Sequence, residues 1–318
     1  MKKPGRVKRS SWVRPKLSVR RTWRKPAGPR FGAMLGLTLA MGALSVYGLL
    51  RGRPSSLKGP AAAASEELEL ALVEQFSHEK PIMDLSVTKD GTVYVMDSKG
   101  LQMRSGGSWG NRLDLGWEPS GWNYLSAGPS GVFLTRPGSS ILYKADLALK
   151  GVKEFPLEGA RELTGVAADE GGGAYVSDVG ADAIFHVDGE GKILGRMGKE
   201  GQVKDPRALC LASDGDLYAV DSGLNQVLRF SADGALKKSW NGPWERPTLE
   251  RLGVAGGKLY INNHLGGGVW IMGQGGKLEG LCRRSSPEFP MPGPAQLTVG
   301  KDGFLYVGSG GIGKFLLP

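Results

Sequence analysis

The sequence predicts an all-β fold, a six-bladed β-propeller, preceded by one N-terminal transmembrane helix. Three observations predict it: an aromatic motif recurs six times at a nearly constant interval, alternating apolar runs are separated by Gly-rich turns, and one long uncharged segment precedes them. The 318-residue chain contains 51 glycines, well above the usual share of about 7%. This excess suits a domain built from many tight turns.

The positive charge of the chain is concentrated at its beginning. Residues 1–58 contain 15 Lys and Arg and no acidic residue, and the first acid is Glu66. The rest holds 26 basic and 31 acidic residues, so no nucleic acid partner is predicted, because a binder should carry its basic patch on the folded domain. Residues 1–30 are predicted to be a basic, disordered cytoplasmic tail. Its charge either attracts anionic lipid or serves only to set membrane topology.

Residues 31–50 are predicted to form the transmembrane helix. The segment FGAMLGLTLAMGALSVYGLL has no charged residue, and a helix of 20 residues spans about 30 Å, the thickness of the hydrocarbon core. Twelve basic residues precede it, which predicts a single-pass protein of the inner or plasma membrane with its N-terminus in the cytoplasm and its propeller in the periplasm or outside the cell. Residues 51–65 form a linker. The alternative is a cleaved twin-arginine leader, with Arg20-Arg21 as the signal and 61–64 as small residues for cleavage.

The repeat is the strongest signal in the sequence. Its aromatic positions are separated by 39, 42, 43, 42 and 46 residues; they are Tyr94, Phe133, Tyr175, Tyr218, Tyr260 and Tyr306. Each copy has an apolar run, a Gly turn, the aromatic run, a polar turn and two further runs around a second Gly turn. Period-2 runs joined by Asp-Gly and Gly-Gly turns indicate hairpins, and four short strands in about 42 residues make one propeller blade.

Two copies, residues 163–198 and 206–240, resemble the NHL repeat of β-propeller proteins. The resemblance extends over residues 66–318 and is to the membrane-anchored bacterial type of this family. It implies a six-bladed NHL-like propeller. The last copy lacks its fourth run, whereas residues 68–76, LELALVEQF, precede the first full copy. We expect this strand to pair with the last blade and close the ring, which removes both exposed edges.

One face of the propeller is predicted to bind a partner. It carries the links from strand 4 to the next strand 1 and the turns from strand 2 to strand 3. Aromatic side chains with neighbouring polar groups are typical of interfaces. The predicted binding face comprises Trp117, Trp122, Tyr124, Arg136, Asp178, Asp182, Asp221, Asn225, Trp244, Asn262, Asn263 and His264. Trp240 belongs to the same aromatic group, and packing between blades is the alternative role for each Trp.

Catalysis is the competing hypothesis. Some propellers of this kind are lactonases that bind a divalent metal at the channel through Glu, Asn and Asp, for which Glu118, Asn225 and Asp84 are the candidates. Related amidating lyases hold zinc through several His, and this chain has only His78, His186 and His264, of which His78 is expected at the surface. Aspartates follow the aromatic strand at Asp97, Asp178 and Asp221, as a cation-binding channel mouth or as turn caps.

The cysteines Cys210 and Cys282 are predicted to be buried thiols, with a disulfide as the alternative. No cofactor and no catalytic residue are predicted. The sequence therefore favours a non-catalytic, membrane-anchored extracytoplasmic propeller, a scaffold, receptor or accessory subunit with a protein partner or membrane complex. A metal-dependent lactonase, hydrolase or lyase is the alternative function.

Overall fold

The computed structural model describes residues 66–67, 70–120, 123–241, 249–263, 268–282, 296–308 and 311–317. Within these residues every regular secondary-structure element is a β-strand, and no helix is long and apolar enough to cross a membrane. The predicted tail, transmembrane helix and linker, residues 1–65, lie outside the described part of the chain.

Six four-stranded antiparallel units, the blades, follow each other along the chain. Two N-terminal strands precede them, β1 (Glu66–Glu67) and β2 (Leu72–Ser77). Blade 1 contains β3 (Asp84–Val87), β4 (Val93–Asp97), β5 (Gly100–Ser105) and β6 (Ser108–Leu113). Blade 2 contains β7 (Tyr124–Gly128), β8 (Gly131–Thr135), β9 (Ile141–Ala145) and β10 (Val152–Pro156). Blade 3 contains β11 (Leu163–Ala168), β12 (Ala174–Asp178), β13 (Ala183–Val187) and β14 (Ile193–Arg196).

The second half of the ring repeats this order. Blade 4 contains β15 (Pro206–Leu211), β16 (Leu217–Asp221), β17 (Gln226–Phe230) and β18 (Leu236–Asn241). Blade 5 contains β19 (Leu249–Ala255), β20 (Lys258–Asn263), β21 (Val269–Gly273) and β22 (Leu278–Cys282). Blade 6 contains β23 (Gln296–Val299), β24 (Leu305–Gly308) and β25 (Gly311–Phe315), with β2 as its fourth strand. The prediction of an all-β, six-bladed propeller is confirmed.

The first strands of neighbouring blades, from β3 to β23 and back to β3, contact each other around a central axis. Since strands alternate in direction, the turns after strand 2 and the links after strand 4 share one side, called here the top face. The turns after strands 1 and 3 form the bottom face. Asp-Gly pairs make several bottom-face hairpins, as in Gly91, Gly215 and Gly303, whose φ angles of 79°, 84° and 86° suit glycine.

The repeated aromatic residues lie on the second strands and form the packing between blades. All six are at most 4% exposed, and burial of such a side chain contributes about 2 kcal/mol to folding. Their local sequence explains the position: each follows a Gly turn within an apolar run, so the pleat and the hairpin place it at the same depth in every blade.

The ring is closed by its N-terminal segment. β2 pairs antiparallel with β25, with Phe76 opposite Ile312, and its strand begins at Leu72 rather than at the expected residue 68. Upstream, β1 adds a short parallel strand to β22 of blade 5. Leu70, 1% exposed, packs in the core between these two blades. The N-terminal segment therefore joins blades 5 and 6.

Candidate functional site

The top face carries a groove beside blades 1 and 2. The turn after β4 and the link after β6 both end on this face, and together they supply its walls. We define the top-face groove by Ser98, Lys99, Arg112, Asp114, Gly116, Trp117 and Glu118. The predicted binding residue Trp117 thus lies in a concave surface with charges of both signs, a combination suited to a polypeptide partner.

Neighbours on blade 2 hold Trp117 in place. Its ring lies 5.6 Å from that of Tyr143 at a tilt of 49°, and the Arg136 guanidinium is 5.4 Å from the indole centroid. Arg136 itself is exposed in the turn after β8. The structure therefore brings two predicted binding residues together, and the cation–π contact adds to the packing of the Trp117 ring on Tyr143.

The groove is also braced from below by Asp97. Arg112 donates two hydrogen bonds of 2.8 Å to this carboxylate, the Lys99 amide donates a third of 2.7 Å, and the imidazole of His78 lies 3.3 Å away. Burial acts to raise the pKa of Asp97, but these donors and charges outweigh it and hold the pKa below its usual value. Asp97 thus positions Arg112 and the turn that carries Lys99.

His78 is not the surface residue that the sequence suggested. Its side chain is 1% exposed, with Nδ1 2.8 Å from the Lys80 carbonyl oxygen and its ring 4.7 Å from that of Trp109. The Trp109 indole also donates a 3.0 Å hydrogen bond to the Ser77 carbonyl. The residue that follows the closing strand is therefore packed into blade 1, which strengthens ring closure. His186 is paired with Asp169 at 2.8 Å.

Asp178 and Asp221 are predicted binding residues that lie inside the fold, both 0% exposed. Asp178 accepts hydrogen bonds from the amides of Arg161, Glu162 and Ala181. This geometry is that of a turn cap, and it ties β12 to the link that precedes blade 3.

Asp221 repeats the arrangement in blade 4, where the amides of Lys204 and Leu224 donate to it. Burial raises the pKa of Asp221, and these amides oppose the shift. Of the two roles considered for these aspartates, the contacts match capping.

The remaining predicted binding residues are spread over several environments. Asp182 and Asn225 occupy left-handed turn positions with φ of 49° and 55°, and Asp182 is exposed. Asn262 is buried, at 5% exposure. For Asn263 only the backbone is described, and Trp122, Trp244 and His264 lie outside the described residues.

Trp240 packs inside the propeller, which is the alternative role considered for it from the sequence. It is 9% exposed, and its ring is 6.3 Å from that of Tyr218.

A buried ion pair closes the top of the axis. Arg251 of blade 5 donates from Nε to Oδ1 of Asp84 at 3.0 Å and from Nη2 to the Asn123 carbonyl at 3.0 Å. Its guanidinium also lies 3.9 Å from the ring centroid of Tyr124. The Leu125 amide donates to the other Asp84 oxygen at 2.8 Å. Arg251 and Asp84 are 4% and 3% exposed, so this bridge joins blades 5, 1 and 2.

The bridge buries two residues that were singled out from the sequence, Tyr124 and Asp84. Tyr124 was predicted on the binding face, but at 5% exposure it is buried under Arg251. Burial raises the pKa of Asp84, and Arg251 and the backbone amides oppose that effect without cancelling it. Arg251 itself was missed, since a single Arg in an apolar strand run carries no local signal of a partner 167 positions away.

A divalent metal does not fit the residues proposed for it. Both Asp84 oxygens already accept hydrogen bonds, and a cation bound there would face the Arg251 guanidinium at close range. Glu118 lies in the top-face groove, whereas Asn225 lies in the turn after β16 of blade 4. Within the described ranges, no three His, Cys, Asp or Glu side chains form a group that could hold a metal.

Cys210 and Cys282 are not joined in a disulfide. Cys282 is fully buried, whereas Cys210 of blade 4 is half-buried and lines the central channel. Burial raises the pKa of the Cys210 thiol to about 11.

Comparisons with known proteins define the class of this chain by fold. No protein-family model matches the sequence, and no curated protein matches it, so the NHL resemblance stays a prediction. A streptogramin B lyase structure is similar, with a TM-score of 0.54, 15% identity, and coverage of 77% of this chain and 97% of that one. A structure of catalytically inactive virginiamycin B lyase from Staphylococcus aureus with quinupristin is also similar, with a TM-score of 0.56, 13% identity, and coverage of 77% of this chain and 99% of that one.

A structure of the nidogen–laminin complex is also similar, with a TM-score of 0.52, 18% identity, and coverage of 64% of this chain and 80% of that one. The chain thus shares the β-propeller fold with a lyase and with a component of the nidogen–laminin complex. At these identities the likeness is one of fold alone.

Proposed function

We propose that this chain is a membrane-anchored, extracytoplasmic binding propeller without catalytic activity, which holds a protein partner at the top-face groove. It would serve as a scaffold, receptor or accessory subunit of a membrane complex. The observation that carries this proposal is the Arg251–Asp84 bridge. It occupies the axial position where a propeller hydrolase would need its metal. Among the described residues of the top face, the groove is then the feature suited to binding.

The chemistry of the groove supports a polypeptide partner. Trp117 supplies an apolar wall that Arg136 and Tyr143 hold in place, while Lys99 and Glu118 offer opposite charges at the rim. Rigid aromatic residues of this kind carry much of the affinity at protein interfaces, and exposed rim charges add specificity and rate of association.

The support for the membrane anchor is the uncharged segment 31–50 with its preceding basic residues. Full-length protein should remain in the membrane fraction after an alkaline carbonate wash and should retain residues 1–50 by mass spectrometry. A mature N-terminus near Ser65 would mean a cleaved leader and a released propeller.

Partner binding can be tested with tagged full-length chain purified from membranes in mild detergent. Replacing Arg136 with Glu reverses an exposed charge beside Trp117, and Lys99→Glu does the same on the opposite wall. Leu194→Ala, which trims a side chain 57% exposed on blade 3, is the matched control. Proteins recovered with the wild-type and Leu194→Ala chains should be lost with the two charge variants. Recovery of the same proteins from all four chains would place the binding site elsewhere.

A further inference from the structure

The central channel differs sharply at its two ends. At the top, Arg251 and Asp84 form a pair whose side chains are 5% and 4% exposed. At the bottom, Lys301 of blade 6 reaches across the axis to Glu170 of the opposite blade 3, with Nζ 2.7 Å from Oε1, and these side chains are 33% and 78% exposed. A buried pair is costly to break, whereas an exposed pair opens readily in water.

The space between these pairs is small, and hydroxyl groups form part of its lining. The channel encloses about 90 Å³, enough for several waters or one small ion. Ser86 and Ser126 line it, and each hydroxyl oxygen accepts a backbone N–H from the next blade, from Ala127 at 3.0 Å and from Ala168 at 2.9 Å. Each hydroxyl therefore keeps its own proton to donate to a solute.

The charged groups at the two ends of the channel favour an anion over a cation. Lys301 lines the channel, whereas its partner Glu170 projects into solvent from the bottom turn of blade 3. When the Lys301–Glu170 pair separates, the ammonium remains at the channel mouth without its carboxylate. Asp84, the acid at the other end, is already neutralised by Arg251.

We propose that the channel is a blind well that opens only at the bottom face and takes a small monovalent inorganic anion, with Lys301–Glu170 as its gate. The anion would accept hydrogen bonds from Lys301 and from the hydroxyls of Ser86 and Ser126. The size of the well excludes peptides and all but the smallest metabolites. This site is separate from the top-face groove and does not depend on the function proposed for the groove.

Cys210 provides a reporter inside the well, because it lines the same channel. Its modification can be followed by mass spectrometry of the full-length chain with iodoacetate and iodoacetamide, an anionic and a neutral reagent of similar small size. Burial raises the pKa of this thiol to about 11, so the rates are measured at pH 9. Cys282, which is 0% exposed, is the internal control for unfolding.

Two variants separate access from charge. Glu170→Gln opens the gate but keeps the cation, so the anionic reagent should react with Cys210 up to about fivefold faster than in wild type, the factor that corresponds to about 1 kcal/mol for an exposed pair. Lys301→Gln removes gate and cation together. The anionic-to-neutral rate ratio should then fall to the value measured for the same chain in denaturant.

Anion binding itself is tested in Glu170→Gln by replacing gluconate, which is too large for the well, with chloride at constant ionic strength. Chloride should slow the anionic reagent at Cys210. The proposal is overturned if neither variant changes the Cys210 rates, if the rate ratio in Lys301→Gln stays at the wild-type value, or if chloride has no effect. It is equally overturned if Cys282 reacts in step with Cys210, since entry would then require unfolding.

Discussion

Replacing Arg251 with Met should be one of the most damaging single changes in this domain. The variant loses the 3.0 Å bonds to Asp84 and to the Asn123 carbonyl, together with the contact over Tyr124. Asp84 stays buried, at 3% exposure, without its counter-charge. Loss of one partner of a buried pair typically costs about 3–5 kcal/mol, and at about 2–4 °C per kcal/mol for a domain of this size the Tm should fall by roughly 10 °C.

The matched control is Arg207→Met. Arg207 lies on β15, the equivalent first strand of blade 4, and its partner is Asp205, but these side chains are 32% and 31% exposed. An exposed pair contributes about 0–1 kcal/mol, so this variant should stay within a few degrees of wild type. Thermal unfolding of the full chain in mild detergent, followed by near-UV circular dichroism, measures both. Equal Tm values for the Arg251→Met and Arg207→Met variants would refute this account of the bridge.

The pH dependence of the same variant gives a second test. Burial raises the pKa of Asp84 above its usual value, so the folded chain binds this proton more readily than the unfolded chain. Stability from this group therefore increases as the pH falls through the folded pKa toward 3.8. Removal of Arg251 moves that window to higher pH, so the deficit at pH 7 should shrink at pH 5. Adding Asp84→Asn should recover part of the loss at pH 7.

Three further changes test the packing. A Cβ at Gly165 would meet the Arg207 carbonyl oxygen in the adjacent blade, whereas a Cβ at Gly195 would have no atom within 4 Å. Gly165→Ala should therefore cost about 1–3 kcal/mol or more of folding free energy, and Gly195→Ala should not destabilise the domain. The midpoints of denaturant unfolding would show the difference. Trp240→Ala should cost about 3–5 kcal/mol by the same measurement, because its indole is 9% exposed between blades. Alkylation of Cys210 should keep rising with pH through 9, given a pKa of about 11, and a plateau near pH 8.5 would contradict its burial.

The propeller could be predicted because its signals are local. The Gly turn, the apolar run and an aromatic such as Tyr218 or Phe133 recur within one hairpin, and hairpin geometry follows from short-range rules. The strand that completes the last blade could also be predicted, since closure of the ring needs only one additional apolar run. The structure places that run beside β25.

The site was harder to predict because it depends on contacts between blades. Tyr124 and Trp240 are in the predicted loops or strand ends, but whether such a side chain faces solvent or the next blade depends on the twist of each sheet. Arg251 pairs with Asp84 across 167 positions, and no spacing rule links them. His78 becomes buried only because the closing strand carries it against Trp109.

At the top of the axis, the Arg251–Asp84 ion pair takes the place of a metal site. The most direct test is the metal content of the purified full chain and of its Asp84→Asn variant after dialysis, measured by inductively coupled plasma mass spectrometry. The account predicts far less than one calcium or zinc per chain in both. One ion per wild-type chain that disappears in Asp84→Asn would contradict it and would favour the hydrolase or lyase alternative.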